Sequence, residues 1–268
     1  MAGKALITGG GGAIAEEIAI RLDARGYDLI LADINEARMA EVARRLSRPP
    51  LTVRADLSTQ AGMAALAALI EGEHSDLALL VNNAGFVEPG DADTLSPDIL
   101  DRHIFINLIA PMQLTRAAAR VMRPQRRGDI LSIVSMGGII ALKGSAAYAA
   151  SKFGLRGFQT SVRSELAGDG IRVMGVFPSG VDTPMLRYEA THGGSPLNFV
   201  GKVFTAAEVA DACMKALKTG ALETYVPYGD SITSRLAGAF PWVINKVLPM
   251  FEKSGEKGRA KFRAERGI

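Results

Sequence analysis

The sequence predicts a single doubly wound α/β domain, in which helices cover both faces of one parallel sheet of about seven strands. Short apolar runs typical of buried strands alternate along the chain with stretches of helical composition. The predicted strands are 4–7, 28–32, 51–54, 77–81, 130–134, 172–177 and 223–227. A chain of 268 residues with 48% apolar content is long enough to bury a large core around such a sheet.

Charge and composition exclude several classes of protein. The net charge of +3 equals the excess of basic over acidic residues in the segment 252–268, so no broad basic face argues for nucleic acid. The single cysteine, Cys213, cannot form an intrachain disulfide and is expected in the core, and the three histidines are too far apart to predict a metal site. No signal-peptide pattern or bilayer-spanning apolar run is found, so a cytoplasmic location is expected.

The turn after the first strand, residues 8–15, reads Thr-Gly-Gly-Gly-Gly-Ala-Ile-Ala and precedes an amphipathic run to Arg25. A strand, a glycine-rich turn and a helix together direct backbone N–H groups and a helix amino end at a pyrophosphate. Glycine clusters are often only flexible turns. Here the flanking elements, and an acidic residue about 25 positions further on, favour dinucleotide binding.

That acidic residue, Asp33, ends the second strand. A carboxylate there can accept hydrogen bonds from both hydroxyls of an adenine ribose and would repel a 2′-phosphate. The alternative is a cap for the helix from Glu36, a role that Asn35 fills better. Because neither Gly12 nor positions 34–35 offer an arginine or lysine, we expect NAD as the cofactor, with NADP as the alternative.

The stretch 135–152 carries the clearest chemical signal. Ser135 follows the fifth strand, at the carboxyl edge where open α/β sheets place their chemistry. Tyr148 and Lys152 are four apart at the start of a helix predicted over 146–167, so they share one face. A cation close to a phenol favours phenolate, which makes the pair a candidate acid and base. Alternatively, the pair is a half-buried aromatic ring beside a solvated charge.

With this spacing of Ser135, Tyr148 and Lys152, the chain resembles the short-chain dehydrogenase/reductase family from residue 4 to about residue 183. The resemblance implies a Rossmann fold, with Tyr148 as acid and base, Lys152 lowering its pKa and binding the nicotinamide ribose, and Ser135 holding the reacting oxygen. Asn107, in a helical run predicted over 98–122, matches the family's asparagine that bends its helix and holds a water between the lysine and solvent. From the residues alone, Asn107 could equally face solvent.

The resemblance also implies a set of cofactor-binding residues. Residues 82–85 match the family's Asn-Asn-Ala-Gly, and an aspartate-hydrophobe pair after the third strand matches its adenine contact. The set is Thr8, Gly9, Gly11, Gly12, Ile14, Asp33, Asp56, Leu57, Asn83, Ala84, Gly85, Tyr148, Lys152, Pro178, Val181 and Thr183. An alternative for Asp56 or Ser58 is a cap for a helix from Thr59.

Three positions depart from the family pattern. Ala13 and Ala15 replace glycines of the first turn, and Ser179 replaces the glycine after Pro178. We expect Ala15 to cost little, Ala13 to move the phosphates slightly outward, and Ser179 to be tolerated if its backbone φ is negative.

The substrate is expected to be lipophilic. Residues 184–204 lose periodicity and are predicted to form a loop that acts as a lid. The candidate substrate residues are Ser135, Met136, Ile140, Tyr148, Met185 and Leu186. Together with Ile139, Leu142, Tyr188 and Phe199 they suggest a secondary alcohol or ketone such as a steroid, a long-chain acyl derivative or a sphingoid-like base. These side chains could instead pack against one another.

The chain is predicted to consist of a dinucleotide-binding and catalytic domain over 1–235 and an apolar and basic carboxyl-terminal extension over 236–268. Residues 240–251 are apolar and aromatic, are broken by two prolines and precede a basic tail. The extension, chiefly residues 240–268, fits a peripheral contact with a membrane, a cover over the active site or a subunit contact. The resemblance implies a homodimer or homotetramer that pairs through the helices of Asn107 and Tyr148.

Two alternative functions stay open. A 3-oxoacyl-thioester reductase would share the catalytic residues, but Asp33 and the longer carboxyl end argue against it. A catalytically silent dinucleotide sensor or scaffold is favoured only by Ala13, Ala15 and Ser179. The complete set of Asn107, Ser135, Tyr148 and Lys152 argues against that alternative.

Overall fold

A computed structural model describes residues 3–239 and 241–268. Its strands are β1 (Lys4–Thr8), β2 (Asp28–Asp33), β3 (Leu51–Arg54), β4 (Leu77–Asn82), β5 (Gly128–Ile133), β6 (Ile171–Pro178) and β7 (Glu223–Val226). They form one sheet in the order β3-β2-β1-β4-β5-β6-β7, and every neighbouring pair is parallel. The predicted doubly wound sheet is therefore confirmed, and the predicted strands lie within two residues of the observed ones.

Helices lie on both faces of this sheet. They are α1 (Ala13–Asp23), α2 (Glu36–Ala43), α3 (Gln60–Gly72), α4 (Pro97–Ile104), α5 (Ala110–Gln125), α6 (Ala146–Leu166), α7 (Pro184–His192), α8 (Ala206–Thr219), α9 (Tyr228–Ala239) and α10 (Pro241–Arg266). The apolar sides of α1, α2 and α8 form one core layer, and those of α3, α5 and α6 form the other. Because both faces are covered, the inner strands are largely apolar, as buried parallel strands are, whereas the edge strands β3 and β7 contain polar residues and are more exposed.

The predicted helical run over 98–122 contains a π-helical segment, Phe105–Ile109, between α4 and α5. Pro111 has no N–H and cannot donate to the carbonyl of Asn107 four residues earlier. The loss of that α-helical hydrogen bond is a local reason for the wider turn. The bend expected at Asn107 thus takes the form of a π-helical segment.

The helix caps confirm one prediction and correct another. Asn35 caps α2 by accepting a hydrogen bond from the Arg38 N–H. The cap of α3 is Thr59, whose hydroxyl accepts from the Gly62 N–H at 3.0 Å, so the alternative of Asp56 or Ser58 as the cap is wrong. Asp56 instead accepts hydrogen bonds from the N–H and the hydroxyl of Ser58, since it lies too far before the helix to reach its first turn.

The lid also differs from its prediction. Residues 184–204 are not an irregular loop, because they contain α7 and a 3₁₀ turn, Pro196–Phe199. Thr183 caps α7, and Gly193 ends it in a left-handed conformation with φ of 95°. The apolar residues of so short a helix are too few to show periodicity. The helix is stabilised instead by packing of Leu186 and Ala190 against distant residues.

The carboxyl end folds back onto the lid. Phe262 of α10 packs against Phe199 with ring centroids 5.5 Å apart, and Arg266 donates to Asp182 at 2.8 Å. Pro249 lies inside α10, so the expectation that it breaks the segment is wrong. The predicted domain boundary at residue 235 falls within α9.

Part of the proposed membrane-contact segment, namely Phe240 and the side chains of 241 and 243–247, lies outside the described residues. In the described part, Trp242 is 68% exposed and Met250 is also exposed. No helix among the described residues combines the length and the apolar content needed to cross a bilayer.

Candidate active site

The predicted site residues meet at the carboxyl edge of the sheet. The strand order reverses between β1 and β4, which opens the crevice where doubly wound sheets bind ligands. Two neighbouring cavities open beside β5, and a third crevice of about 300 Å³ lies beyond the end of β2. Most of the cofactor candidates line this third crevice or the smaller cavity at β5, whereas Thr8, Gly11 and Gly12 line neither.

The glycine-rich turn is held against the turn after β4. The Thr8 hydroxyl accepts hydrogen bonds from the N–H groups of Asn83 and Ala84 at 3.0 and 3.1 Å, and the Asn83 amide donates to the Thr8 carbonyl. Gly9 has φ of 64°, and a Cβ there would lie 2.9 Å from Ala84 Cα. Glycine is therefore required at this position by both its backbone conformation and its close neighbour.

The same turn leaves the amino end of α1 free for an anion. Gly12 is the N-cap of α1 and offers no side-chain acceptor, so the first N–H groups of the helix are available to phosphate oxygens. Ala15 is fully buried in the core, which agrees with the expectation that its methyl group is accommodated. Ala13 occupies the first turn of the helix, and its effect on the phosphates stays a prediction.

The Asp33 carboxylate lies in the third crevice. It accepts the N–H of Gly11 at 2.9 Å and the N–H of Asn35 at 2.9 Å, which fixes its orientation. Asp56 and Leu57, the candidate adenine contacts, line the same crevice, together with Ala84 and Gly85. Three features fit a bound dinucleotide: the glycine-rich turn, the uncapped amino end of α1 and the Asp33 carboxylate.

Sequence reasoning missed one cation in this crevice. Arg102, from α4, lines it and lies with its guanidinium carbon 4.5 Å from the centroid of the Phe86 ring. Arg38 also lies beside Gly11, but its guanidinium pairs with Glu41. Neither arginine follows directly after β2, which is where the sequence analysis searched for a cation.

Ser135, Tyr148 and Lys152 line the smaller cavity, whose volume is about 120 Å³. The Ser135 hydroxyl follows β5 and accepts the Gly137 N–H at 2.9 Å. Lys152 is buried, and its ammonium donates to the Ile133 carbonyl at 3.0 Å. It lies 5.7 Å from the centroid of the Tyr148 ring, so the helical spacing does bring the two side chains together.

The ionisation of this pair is dominated by burial. Desolvation raises the pKa of Tyr148 to about 12, an effect that the Ser135 hydroxyl opposes by hydrogen bonding to the phenolate and that the charge of Glu189 reinforces. Desolvation also lowers the pKa of Lys152 to about 8. By accessible surface Tyr148 is only partly buried, since it lines the cavity, but protein atoms surround it densely enough to disfavour the phenolate.

The expected lowering of the Tyr148 pKa by Lys152 is therefore not found in the chain alone. The ammonium is itself desolvated and is directed at the Ile133 carbonyl rather than at the phenol. In this arrangement Tyr148 is a phenol at neutral pH and can donate a proton.

Asn107 is fully buried and its side chain is fully engaged. Its amide oxygen accepts the Phe86 N–H at 2.8 Å, and its amide nitrogen donates to the Phe86 carbonyl and to the Ser151 hydroxyl. The solvent-facing alternative for Asn107 is thus wrong. Its main-chain carbonyl, which lacks the usual donor because residue 111 is proline, is the group of Asn107 left to hold a water.

The residues after β6 complete the smaller cavity. Pro178, Val181 and Thr183 line it together with Ile14 of the first turn. Ser179 does not have a left-handed φ, because Arg126 is the only non-glycine residue in the described ranges that has one. Serine is therefore tolerated without backbone strain at this position.

The candidate substrate residues divide between the two cavities at β5. Met185 and Leu186 line the smaller one, whereas Met136 and Ile140 line a larger cavity of about 220 Å³, with Ser135 shared by both. Leu142, Leu197, Val200, Leu248 and Phe251 add apolar surface to the larger cavity. Leu248 and Phe251 of the carboxyl-terminal helix thus border the cavity that contains the candidate substrate residues Met136 and Ile140, which favours the alternative that the extension covers the active site.

Three of the other apolar candidates pack elsewhere. Ile139 is buried in a core cluster with Leu155 and Phe177. Phe199 is buried beneath α10, and the exposed Tyr188 donates its hydroxyl to Glu88 at 2.8 Å. These side chains fill internal gaps or tie the lid to the body, so they do not define the substrate cavity.

The lid contributes two polar residues that sequence reasoning missed. Glu189 is 7% exposed and lines the smaller cavity, and Asn198 lines both cavities. Desolvation raises the pKa of Glu189 to about 7. A recognisable α7 would have revealed Glu189, because it lies three residues after Leu186 on the side that faces the cavity.

Comparisons with known proteins agree with this arrangement. A family model described as short chain dehydrogenase matches residues 3–193. An uncharacterized oxidoreductase of Staphylococcus epidermidis is 28% identical over 213 residues, which are 80% of this chain and 90% of that protein. (+)-Borneol dehydrogenase 1 of Salvia officinalis is 30% identical over 220 residues, which are 78% of this chain and 84% of that protein.

Among solved structures, a short-chain dehydrogenase from Sphingobium yanoikuyae in complex with NADPH has a TM-score of 0.78 and 26% identity, and the match covers 90% of this chain and 95% of that one. The family model includes the catalytic candidates but ends at residue 193, before the 3₁₀ turn and α8 to α10.

Proposed function

Since the chain belongs to the short-chain dehydrogenase/reductase family, we propose that this oxidoreductase transfers hydride between NAD and a lipophilic secondary alcohol or the corresponding ketone. The observation that carries the proposal is the cavity shared by Ser135, Tyr148 and Lys152 at the carboxyl edge of the sheet. A hydroxyl, a phenol and an ammonium around one small cavity can orient an oxygen and move a proton to or from it.

The proton moves through Tyr148. In ketone reduction the phenol donates its proton to the carbonyl oxygen, which the Ser135 hydroxyl holds in place. In alcohol oxidation the phenolate removes the hydroxyl proton, so Lys152 must turn from the Ile133 carbonyl toward the phenol to stabilise that charge. A bound nicotinamide ring would supply or accept the hydride at the carbon.

The preference for NAD rests on Asp33. Its carboxylate is fixed by two backbone N–H groups and remains able to accept hydrogen bonds from ribose hydroxyls. A 2′-phosphate at the same position would meet an uncompensated negative charge. Arg102, across the crevice, is the residue that would favour NADP if it reached that phosphate.

The lipophilic substrate class rests on the larger cavity. Its lining is mainly apolar, and it opens from Ser135 toward Leu248 and Phe251 of α10. A bulky hydrocarbon body could occupy it while the reacting oxygen stays at Tyr148. A relative named for oxidation of borneol, a bulky alicyclic alcohol, is consistent with this class.

The proposals for assembly and location rest on exposed apolar side chains. We propose a homodimer or homotetramer through the helices that carry Asn107 and Tyr148, where Phe153 of α6 is exposed, and light scattering measures it. A cytoplasmic protein with a peripheral membrane contact is proposed from exposed Trp242 and Met250 beside the basic end of α10, and vesicle co-sedimentation measures it.

The test is formation or loss of reduced nicotinamide with NAD and NADP against borneol, long-chain secondary alcohols and their ketones. We expect turnover with NAD, and Tyr148→Phe should lower kcat by about 10²- to 10⁴-fold because the proton carrier is lost. The Kd of NAD should change much less than kcat, because Tyr148 is only one of the candidate cofactor contacts. Tyr228→Phe is the matched control, because that exposed tyrosine on α9 lines neither cavity.

Turnover of Tyr148→Phe within a few-fold of the parent would show that Tyr148 does not carry the proton. Binding of NAD without turnover of any alcohol or ketone would instead favour a dinucleotide sensor.

A further inference from the structure

The lid places a carboxylate in the smaller cavity, and this carboxylate takes no part in the proposed proton transfer. Glu189 lines the smaller cavity together with Ser135, Tyr148 and Lys152, and it is almost fully buried. A buried carboxylate is costly unless hydrogen bonds or a cation compensate it. Its partners therefore indicate what it is there to bind.

Those partners are incomplete. The Asn198 amide donates to Oε2 of Glu189 at 2.9 Å. Within residues 3–239 and 241–268, no side chain or N–H donates to Oε1, and no cation lies within ion-pair distance of the carboxylate. Oε1 nevertheless keeps some accessible surface, since it is not one of the fully buried polar atoms that lack a hydrogen-bond partner. One oxygen of Glu189 is thus an acceptor open to the cavity.

The side chain is also held in position. The Gly194 N–H donates to the Glu189 carbonyl at 2.9 Å, and a Cβ at Gly194 would lie 2.5 Å from Glu189 Cβ. Arg259 of α10 in turn donates to the Gly194 carbonyl at 3.0 Å. The main chain at Glu189 is therefore fixed from two sides, and the carboxylate itself is oriented by the hydrogen bond from Asn198.

The position of the pair decides which part of a ligand it meets. Asn198 lines both the smaller and the larger cavity, so the Glu189–Asn198 pair lies where they join. A substrate with its reacting oxygen at Tyr148 and its apolar body in the larger cavity must pass this junction. In a cavity of only about 120 Å³, a group that meets Glu189 is a few bonds from the reacting carbon.

We propose that Glu189 is a specificity-determining residue, which accepts a hydrogen bond from a second hydroxyl of the substrate, close to the carbon that exchanges hydride. This inference rests on the proposed alcohol or ketone chemistry and narrows its substrate class to lipophilic diols and hydroxy ketones. A buried acceptor rejects a ligand that leaves it unpaired more strongly than an apolar wall rejects an extra group.

Three alcohols that differ in one group test the proposal. 1-Phenylethane-1,2-diol offers a second donor, 2-methoxy-1-phenylethanol offers only an acceptor, and 1-phenylpropan-1-ol offers neither. Assays with the full chain and NAD are made at a pH between the pKa of about 7 of the Glu189 carboxyl and that of about 8 of Lys152, so that the carboxylate and the ammonium both predominate. We expect kcat/KM for the diol to exceed that for the ether by about 10-fold or more, the size of a hydrogen bond to a charged group.

Glu189→Gln is the informative variant, because it keeps the shape and can still accept from Asn198. Its amide nitrogen would then face the cavity and turn the acceptor into a donor. We expect the ratio of kcat/KM for diol and ether to fall to about one or below, with the Kd of NAD unchanged. Binding of the diol to the complex with reduced cofactor, followed by nicotinamide fluorescence, should weaken in the same variant.

The outcomes separate this inference from the proposed function. An equal loss for all three alcohols would assign Glu189 a merely structural role, and a weaker Kd for NAD would assign it to the nicotinamide instead. Either result would overturn the inference while leaving the oxidoreductase proposal intact. If the parent enzyme oxidised none of the three alcohols, the fluorescence measurement alone would decide, and equal diol binding by parent and variant would overturn the inference.

Discussion

Two sides of this molecule are built from contacts of different kinds. The proposed cofactor side is the glycine-rich turn with the crevice beyond β2, and the proposed substrate side is the larger cavity with the lid and α10. On the cofactor side, Gly9 and the hydroxyl of Thr8 each contact main-chain atoms of the turn after β4. Few other residue types could make these contacts at positions 8 and 9. On the substrate side, α10 is held by an aromatic pair, Phe199 and Phe262, and by the ion pair between Asp182 and Arg266. Many other apolar or charged pairs could make those contacts equally well.

This difference has a consequence for function. The side that demands particular residue types is the one proposed to bind the cofactor, which the family shares. The side that tolerates substitution is the one proposed to enclose the substrate, which varies. Lys152 lies between them, because it lines the cavity at which both sides meet. Variants on each side should therefore affect the kinetic constants of one ligand and not of the other.

Replacing Lys152 by Met should have the largest effect, since it disturbs the boundary itself. The buried ammonium is the only cation that lines the smaller cavity among the described residues, and without it the Tyr148 phenolate loses its nearest positive charge. We expect kcat to fall by about 10²- to 10⁴-fold in steady-state assays of alcohol oxidation. Lys215→Met, at an exposed position on α8, should leave kcat unchanged.

A fall in kcat below about ten-fold for Lys152→Met would contradict this role. The buried lysine would then be a structural residue that satisfies the Ile133 carbonyl.

Replacing Asp33 by Ser should affect the cofactor side alone. Loss of the carboxylate removes charge-assisted hydrogen bonds to the ribose, so the Kd of NAD should rise by about 10- to 100-fold, and that of NADP should fall. The KM for the alcohol at saturating cofactor should not change. Asp211→Ser, which removes an exposed ion pair with Arg21, is the control for loss of an acidic residue.

Equal binding of NAD and NADP by the parent enzyme would contradict the prediction. That result would indicate that Arg102, rather than Asp33, governs the adenosine end of the crevice.

The cofactor side could be predicted from the sequence because its requirements are visible as residue types. Glycine at a left-handed position and asparagine at a turn after a strand are rare enough together to indicate their role. The inner strands were predictable for a related reason, since strands buried on both faces must be largely apolar.

The substrate side could not be predicted in the same way. The short helix α7 exists because Leu186 and Ala190 pack against Phe199 and Phe262, and Phe262 is more than seventy residues away in sequence. Glu189 was missed for this reason, because its direction depends on a helix that local periodicity does not reveal. The protonation state of Tyr148 was also beyond the sequence, since burial raises its pKa and the neighbouring ammonium is directed at the Ile133 carbonyl.

Two glycines of α10 permit a close contact with another element, but the sequence does not show which element that is. A Cβ at Gly255 would lie 2.1 Å from the Pro196 carbonyl oxygen, and one at Gly258 would lie 2.0 Å from the Phe199 carbonyl oxygen. The helix therefore packs directly against the main chain of the 3₁₀ turn, and glycine is what permits that approach.

Replacing Gly258 by Ala should affect the substrate side alone, with the smallest effect of the three variants. The added methyl group must push α10 away from the turn, which loosens the wall that Leu248 and Phe251 contribute to the larger cavity. We expect a loss of about 1–3 kcal/mol in the free energy of unfolding and a several-fold higher KM for the alcohol, with the Kd of NAD unchanged. Urea unfolding and steady-state kinetics measure the two effects.

Gly157→Ala is the matched control, because Gly157 also lies within a helix but a Cβ there would meet nothing within 4 Å. That substitution should stabilise the protein by about 0.5–1 kcal/mol through helix propensity, with no change in either ligand's constants. If Gly258→Ala behaved like Gly157→Ala, α10 would not be docked on the lid in solution. The substrate side would then be enclosed by α7 and the 3₁₀ turn without support from the carboxyl-terminal helix.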